Sequence, residues 1–305
     1  MNTICYRRAI LIGWILLGSA GAVGRAAARD VPAERGDGFA TEWDRLDLSE
    51  THALWTQVLS DHVDEAGLVD YAAIGRDRRY REYLYRLAHT DPGGLPNDDA
   101  KRAFWINAYN AVAIRGVLET LPVDTAKWPT YSVEAVQVEG ESFFRGLRFL
   151  VGGVRLSLDE LEKALLLRDP AWFDKDPERY GRLAPRRPDP RVHFALVCCA
   201  KGCPPLRRWA FRGPALEEQL TEVTRSFASD GGRCRFDLDG RRLAVSMLLQ
   251  WYGRDFVDQR FAPRAPSVVQ FLARYVSDPT LAASLERDSW RLEYLLYDWA
   301  LNLQP

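Results

Sequence analysis

The pattern of apolar and polar positions predicts helices and short strands in no regular alternation. Apolar residues recur at helical spacing from Ser49 to about Val63, and again from Asp98 to about Thr120. The second stretch is apolar nearly all round, which is typical of a helix that is buried on every side. We therefore expect a long central helix, with Asn97 or Asp98 as its N-cap.

Turn signals divide the second half of the chain into further elements. Residues 143–156 are predicted to form a hairpin that turns at Gly152, and residues 234–245 a second one that turns at Gly240. Ser157 and Glu160 have the spacing of a capping box, which predicts a helix up to about Leu167. Residues 292–297 are expected to be a final strand.

The run from Val192 to Cys199 contains no charged residue except His193, if that is protonated. Such a run is typical of a strand covered on both faces. Lys201-Gly202 and the prolines that follow then take the chain out of the sheet. These elements together predict an α+β fold: a single domain with a central, mostly antiparallel sheet, a long buried helix and several packing helices.

Composition narrows the class of protein. The chain has 305 residues, of which 47% are hydrophobic and 27% charged, and its formal net charge is -1. These are values of an ordinary globular protein. Because there is no excess of basic residues, nucleic acid is not expected as a partner.

The N-terminus has the three parts of a secretory signal peptide. Arg7 and Arg8 precede an apolar run over residues 9–22, and Ala26-Ala27-Ala28 offers a cleavage site. The run is shorter than the ~20 apolar residues of a spanning helix. We predict a signal peptide at 1–28, a flexible segment at 29–48 and one domain at 49–305. The protein is then secreted or periplasmic, and it meets a membrane only through an uncleaved signal segment.

Four cysteines remain after such a cleavage: Cys198, Cys199, Cys203 and Cys234. An even number in an oxidising compartment permits disulfides. Adjacent cysteines rarely pair, because disulfide geometry is demanding. The pairings left open are Cys198 with Cys203, or either of these with Cys234.

Two asparagines of the long helix, Asn107 and Asn110, are three residues apart and share one face. A buried amide must find hydrogen-bond partners. The two side chains either tie neighbouring loops to the helix, or line a pocket and orient a catalytic group.

Several motifs of the chain resemble a family called domain of unknown function 547, over about residues 51–302. They are Phe104-Trp105-Ile106-Asn107-Ala108-Tyr109-Asn110-Ala111, Ser157-Leu158-Asp159-Glu160-Leu161-Glu162, His193-Phe194-Ala195-Leu196 with Cys203-Pro204-Pro205, Trp251-Tyr252 with Asp255-Phe256, and Tyr297-Asp298-Trp299 with Leu301-Asn302.

The resemblance transfers no established reaction. Its motifs make Asn107, Asn110, Glu162, Asp255 and Cys198 candidates for the polar lining or frame of a pocket. The chain departs from the family at Val197 and Ala200, where members usually carry Asn and Ser, and at Lys163, where many carry His. A likeness to papain-like or transglutaminase-like folds is considered by analogy only.

A cysteine nucleophile is the leading chemistry. Cys203 is predicted as nucleophile, His193 as its base and Asp298 as the carboxylate that orients the imidazole. On an extended strand Cys198 and Cys199 could not reach His193, whereas Cys203 lies beyond a turn and could fold back. We expect these three catalytic residues to converge in one cleft.

Other readings of the site remain open. Papain-like enzymes carry their cysteine on an early helix, and here that helix has none. His193 and the three neighbouring cysteines are zinc-ligand types, but their spacing matches no usual zinc site, so no metal or other cofactor is predicted. The predicted function is a hydrolase or acyl-transferase-like enzyme. The alternative is a non-catalytic envelope binding module, and in either case the ligand is a small molecule, a peptide or an envelope polymer.

Overall fold

The computed structural model describes residues 48–287 and 289–305. The predicted signal peptide and nearly all of the predicted flexible segment lie outside these residues. The helices are α1 Leu48–His62, α2 Tyr71–Ile74, α3 Arg78–His89, α4 Asp98–Thr120, α5 Phe143–Gly146, α6 Pro170–Phe173, α7 Pro177–Leu183, α8 Leu216–Ser229, α9 Leu248–Trp251, α10 Val268–Ala273 and α11 Pro279–Arg287. The strands are β1 Gln137–Val138, β2 Glu141–Ser142, β3 Phe149–Val151, β4 Val154–Leu156, β5 Cys234–Asp237, β6 Arg242–Ser246 and β7 Arg291–Leu295.

Helix α4 is the centre of the fold, as its apolar pattern predicts. The Asn97 side chain caps it by accepting a hydrogen bond from the Ala100 amide, and two aspartates follow in its first turn. Residues 102–114 are buried without interruption. The helix packs against α3, α8 and a π-helix at Glu160–Leu166, so elements from distant parts of the chain share one core.

In the described residues the strands form three small sheets rather than one central sheet, which corrects the predicted architecture. Two are isolated hairpins, β1–β2 and β3–β4, and the third has the order β5–β6–β7 with β6 and β7 parallel. Both predicted hairpin turns are present, at Gly152 and Gly240. The fold is α+β, but helix α4 rather than a sheet fills the middle of the core, because this helix is apolar nearly all round.

The predicted capping box at Ser157 is formed. Its hydroxyl accepts from the Glu160 amide at 3.2 Å, and the Glu160 carboxylate accepts from the Ser157 amide at 2.8 Å. The helix that follows widens into the π-helix Glu160–Leu166. Such π-helical turns are rare and are frequent at functional sites.

The run from Val192 to Cys199 is not a strand, and this prediction was wrong. Pro190–Phe194 is a 3-10 helix whose N-cap, Asp189, accepts from the Arg191 amide, and a loop follows it. An apolar run that is buried on all sides looks the same in sequence whether it is extended or helical. Here the cap and Pro190 at the first helical position favour the helix.

The last segment returns to the middle of the chain. After β7 it runs beside residues 199–202, where Lys201 donates to the Ala300 carbonyl, Gly202 to the Asp298 carbonyl, and Asn302 to the Cys199 carbonyl. The predicted final strand is therefore present, and its continuation meets the cysteine loop. No helix in the described part of the chain is long and apolar enough to pass through a membrane.

Candidate functional site

Two thiols of the loop after the 3-10 helix face each other. The Sγ atoms of Cys198 and Cys203 are 2.8 Å apart, and both cysteines are free. Cys203 is buried, with 3% of its surface exposed, whereas Cys198 is only partly buried. Of the pairings left open by the sequence, the structure brings together Cys198 and Cys203, while Cys234 is a free, buried cysteine of β5.

Hydrogen bonds converge on the Cys203 sulfur. The Cys198 amide lies 3.1 Å from it and the Tyr297 hydroxyl 3.1 Å. Burial by itself raises the pKa of the Cys203 thiol, but the hydrogen bonds from Cys198, Tyr297 and the loop backbone outweigh it and lower that pKa to about 7. The pKa of Cys198 is raised well above its usual value by its hydrogen bond to Cys203 and by burial. Of the two thiols, Cys203 is therefore the one that ionises more readily.

The loop is held in this shape by close contacts. A Cβ atom on Gly202 would lie 2.9 Å from the ring of Tyr297, so only glycine lets this ring approach. Cys199, between the thiols, has a φ of 68°, which is a strained conformation for a residue with a side chain. Arg233 donates to the Cys203 carbonyl at 3.1 Å. The sulfurs are therefore placed by backbone that cannot easily relax.

Both asparagines of α4 tie loops to the helix, one of the two roles that the sequence left open. Asn107 accepts from the Phe211 amide at 2.9 Å and donates to the Phe211 carbonyl at 2.7 Å. Asn110 does the same on the other loop: it accepts from the Val197 amide and donates to the Ala195 carbonyl, both at 2.9 Å. Because Val197 directly precedes Cys198, Asn110 also positions the thiol pair.

His193 is engaged by Asp255 rather than by Asp298. Its Nε2 lies 2.9 Å from a carboxylate oxygen of Asp255, and its ring stacks on Tyr252 at a centroid distance of 4.0 Å. Asp298 is exposed, and its carboxylate accepts from the Ala300 amide. The carboxylate that contacts His193 is therefore that of Asp255, and the expected contact with Asp298 is not formed. In the described residues no hydrogen bond joins His193 to Cys203.

A buried acid lies on the other side of the stacked tyrosine. Glu162, on the π-helix, hydrogen-bonds the Tyr252 hydroxyl, and burial raises the pKa of the Glu162 carboxyl. Lys163 and His193 oppose this rise through their charges. Tyr252 also lies close enough to Cys198 that ionisation of this thiol would raise the pKa of the Tyr252 hydroxyl. Glu162, Tyr252, His193 and Asp255 thus form one polar cluster beside the thiol pair, in which Glu162 and His193 are buried and the other two partly buried.

The sequence-based reasoning missed the two tyrosines that connect these groups. Tyr252 joins Glu162 to His193, and Tyr297 contacts both sulfurs. Both tyrosines stand in motifs that carry the family resemblance: Tyr252 directly follows Trp251, and Tyr297 directly precedes Asp298. The sequence therefore contained a signal that could have identified them. No three metal-ligand side chains come together in the part of the chain that the structure describes.

Replacing Tyr297 with phenylalanine tests the hydrogen bonds on Cys203. The ring that packs on Gly202 is kept, but one donor to the thiolate is lost, so the pKa of Cys203 should rise by roughly one unit, the equivalent of one modest hydrogen bond. Titration of the thiolate ultraviolet absorbance measures this value. Tyr294→Phe is the matched control, because Tyr294 is 42% exposed on β7. An unchanged titration in Tyr297→Phe would mean that the hydroxyl does not stabilise the thiolate.

The comparisons with known proteins agree with the motif-based resemblance. Residues 94–228 are similar to the family described as "Protein of unknown function, DUF547", which supports the resemblance over this part of the chain. The matched region contains α4, the π-helix and the cysteine loop, whereas Tyr252, Asp255 and Tyr297 lie beyond it. No curated protein and no solved structure matches the chain.

Proposed function

We propose that the protein carries out thiol–disulfide exchange through Cys198 and Cys203. The observation that carries this proposal is the 2.8 Å separation of the two sulfurs, in a loop that also stabilises one of them as a thiolate. Two thiols this close can be joined without a large movement of the loop. A lowered thiol pKa together with a neighbouring cysteine is the usual arrangement of thiol–disulfide oxidoreductases.

The difference in exposure between the thiols suggests the direction of the reaction. In the oxidised protein, the thiolate of a substrate attacks the partly exposed Cys198 sulfur, and the bond between the two cysteine sulfurs breaks. Cys203 leaves as a thiolate, which its low pKa favours. A second substrate thiolate then attacks the substrate sulfur, which forms a substrate disulfide and returns Cys198 as a thiol. The substrate loses two electrons, the protein gains them, and an external disulfide must reoxidise the protein.

Acyl transfer or hydrolysis by Cys203 is the second candidate, and the lowered pKa of this thiol favours it. A preformed thiolate can attack a carbonyl carbon without a histidine base. This matters because His193 is bonded to Asp255. A binding module without thiol chemistry is the remaining possibility, and it predicts that neither cysteine reacts.

Location in a secreted or periplasmic compartment is part of the same proposal. It rests on the signal-like sequence at residues 1–28. Such compartments are oxidising, so a protein that hands on a disulfide could be reoxidised there. N-terminal sequencing of exported protein would check the cleavage after Ala28.

The test uses the purified protein after mild oxidation. Mass spectrometry should find a disulfide between Cys198 and Cys203, and the oxidised protein should oxidise dithiothreitol faster than the uncatalysed reaction. Cys198→Ser and Cys203→Ser should both lose this activity entirely. Cys234→Ser is the matched control, because Cys234 is a buried free cysteine outside the loop, and it should retain the activity.

The same variants separate the candidates. If Cys198→Ser cleaves an activated thioester as the wild type does while Cys203→Ser does not, acyl transfer replaces the exchange proposal. Failure of the two cysteines to form a disulfide under any mild oxidant would contradict the exchange proposal directly.

A further inference from the structure

The region next to the thiol pair has an exposed apolar surface. Six large hydrophobic side chains are exposed in the described residues, and three of them are near the end of β7: Tyr294 lies on the strand, Leu296 directly follows it, and Trp251 packs on Tyr297, two residues beyond it. Trp251 is 44% exposed and Leu296 is fully exposed, at 101%. Groups of exposed apolar side chains commonly mark an interaction site.

This surface is continuous with the reactive sulfurs. The rings of Trp251 and Trp299 both contact the ring of Tyr297, at centroid distances of 4.9 and 4.6 Å. The hydroxyl of the same Tyr297 lies 3.1 Å from the Cys203 sulfur and 3.5 Å from that of Cys198. A molecule that reaches the partly exposed Cys198 from this side therefore passes over the aromatic rings.

Strand β7 adds a second kind of recognition. It is an edge strand of its sheet, because β6 pairs with it on one side and no described residue pairs with it on the other. An unpaired strand edge presents backbone donors and acceptors in a row, and these groups select an extended polypeptide rather than a small molecule. Arg291 and Glu293 on β7 carry opposite charges 3.6 Å apart, so the edge does not favour a partner of either sign.

We infer that the substrate of the thiol pair is an extended polypeptide, which adds a strand to the edge of β7 and presents a cysteine flanked by apolar residues. This inference rests on the proposed exchange function. At about 3.3 Å per residue, two residues separate the end of β7 at Leu295 from Tyr297, a distance of roughly 7 Å. The reactive cysteine of the substrate therefore lies about two residues beyond the segment paired with β7. Apolar side chains next to it pack on Trp251 and Leu296.

The experiment uses the oxidised full-length protein and a series of short apolar peptides in which one cysteine is moved a residue at a time. For each protein variant, the rate of peptide oxidation is divided by the rate of dithiothreitol oxidation. This ratio cancels any change in the reactivity of Cys198 and Cys203 that the substitution itself causes. One cysteine position should be preferred by about tenfold, and Leu296→Lys should lower the ratio for this peptide by about tenfold, as expected from the loss of one apolar contact.

Val123→Lys is the matched control, because Val123 is as exposed as Leu296, at 103%, and follows α4, outside the elements that form the site. Its ratio should equal that of the wild type. Binding of the preferred peptide with serine in place of cysteine, measured by fluorescence polarisation, should fall in Leu296→Lys and not in Val123→Lys.

The outcomes distinguish the surface from the chemistry. If dithiothreitol is oxidised but the peptide ratio depends neither on the position of cysteine nor on Leu296, the polypeptide surface is wrong and the exchange function stands. If dithiothreitol and all peptides remain reduced, the exchange function is wrong. In that case the binding of the serine peptide still tests the polypeptide surface by itself. Equal binding to Leu296→Lys and Val123→Lys would overturn the proposed surface.

Discussion

Replacing Asn110 with alanine is expected to lower the free energy of unfolding by about 2–4 kcal/mol and to slow thiol–disulfide exchange. The substitution leaves the Val197 amide and the Ala195 carbonyl without their hydrogen-bond partner inside the core. Each buried backbone group left unpaired costs about 1–3 kcal/mol. Because these two groups anchor the loop that begins at Cys198, the donors around Cys203 should also move, and the pKa of that thiol should rise.

Urea unfolding measures the first effect, and the thiolate titration with the dithiothreitol rate measures the second. Asn107→Ala is the matched control on the same helix face, because it releases an equivalent pair of backbone groups at Phe211. It should lose similar stability while the pKa of Cys203 stays the same. If both variants lose stability alike and neither changes the thiol, Asn110 is a purely structural residue.

Lowering the pH from about 6.5 to about 4 should destabilise the protein through His52. This histidine is 2% exposed, and burial lowers its pKa from 6.5 to about 4. Its Nδ1 lies 3.3 Å from the Asn107 amide nitrogen, which donates to it only when the ring nitrogen is unprotonated. Its Nε2 is buried without a hydrogen-bond partner in the described residues. The folded state therefore holds the neutral ring.

The sign of the effect follows from proton uptake. Between pH 6.5 and 4 the unfolded chain has already protonated His52 while the folded protein has not, so the unfolded state binds more protons and stability falls as the pH falls. At 1.36 kcal/mol per pKa unit, the loss through this group is roughly 3 kcal/mol.

Urea titrations at several pH values test this expectation. His52→Gln should show a smaller loss of stability over the window than the wild type. The exposed His89 provides the control, and His89→Gln should retain the full loss. Equal slopes for His52→Gln and the wild type would show that His52 does not govern this pH dependence.

The sequence was sufficient to predict the elements whose contacts join residues close together along the chain. The Asn97 cap, the reciprocal bonds of Ser157 and Glu160, and both glycine turns involve groups a few residues apart, so sequence spacing alone predicts them. The all-round apolar pattern of α4 likewise predicted its burial. Such features are determined by backbone geometry and by the need to bury one face.

The cysteine loop depended on partners that sequence spacing does not reveal. The extended prediction for Val192–Cys199 failed because its backbone groups are bonded by Asn110 from another helix, not by a neighbouring strand. Asp298 was predicted to orient His193, but the carboxylate that meets the imidazole depends on how distant segments pack, and it is that of Asp255. His193 was expected beside Cys203 because Cys203 lies beyond a turn and could fold back, but no hydrogen bond joins them in the described residues.

The sequence by itself determined the long buried helix, its N-cap, the capping box at Ser157 and the α+β class, and it identified the cysteines and His193 of the site but not its two tyrosines. Only the tertiary structure decided which of the open cysteine pairings brings Cys198 to Cys203, that the Tyr297 hydroxyl lies within hydrogen-bond distance of both sulfurs, and that His193 is held by Asp255. The physical reason is distance along the chain. Caps and turns are local, whereas the contacts made by Asp255 and Tyr297 join residues 62 to 99 positions apart. The two cysteines are near in sequence, but the shape of the loop between them is held by such distant partners.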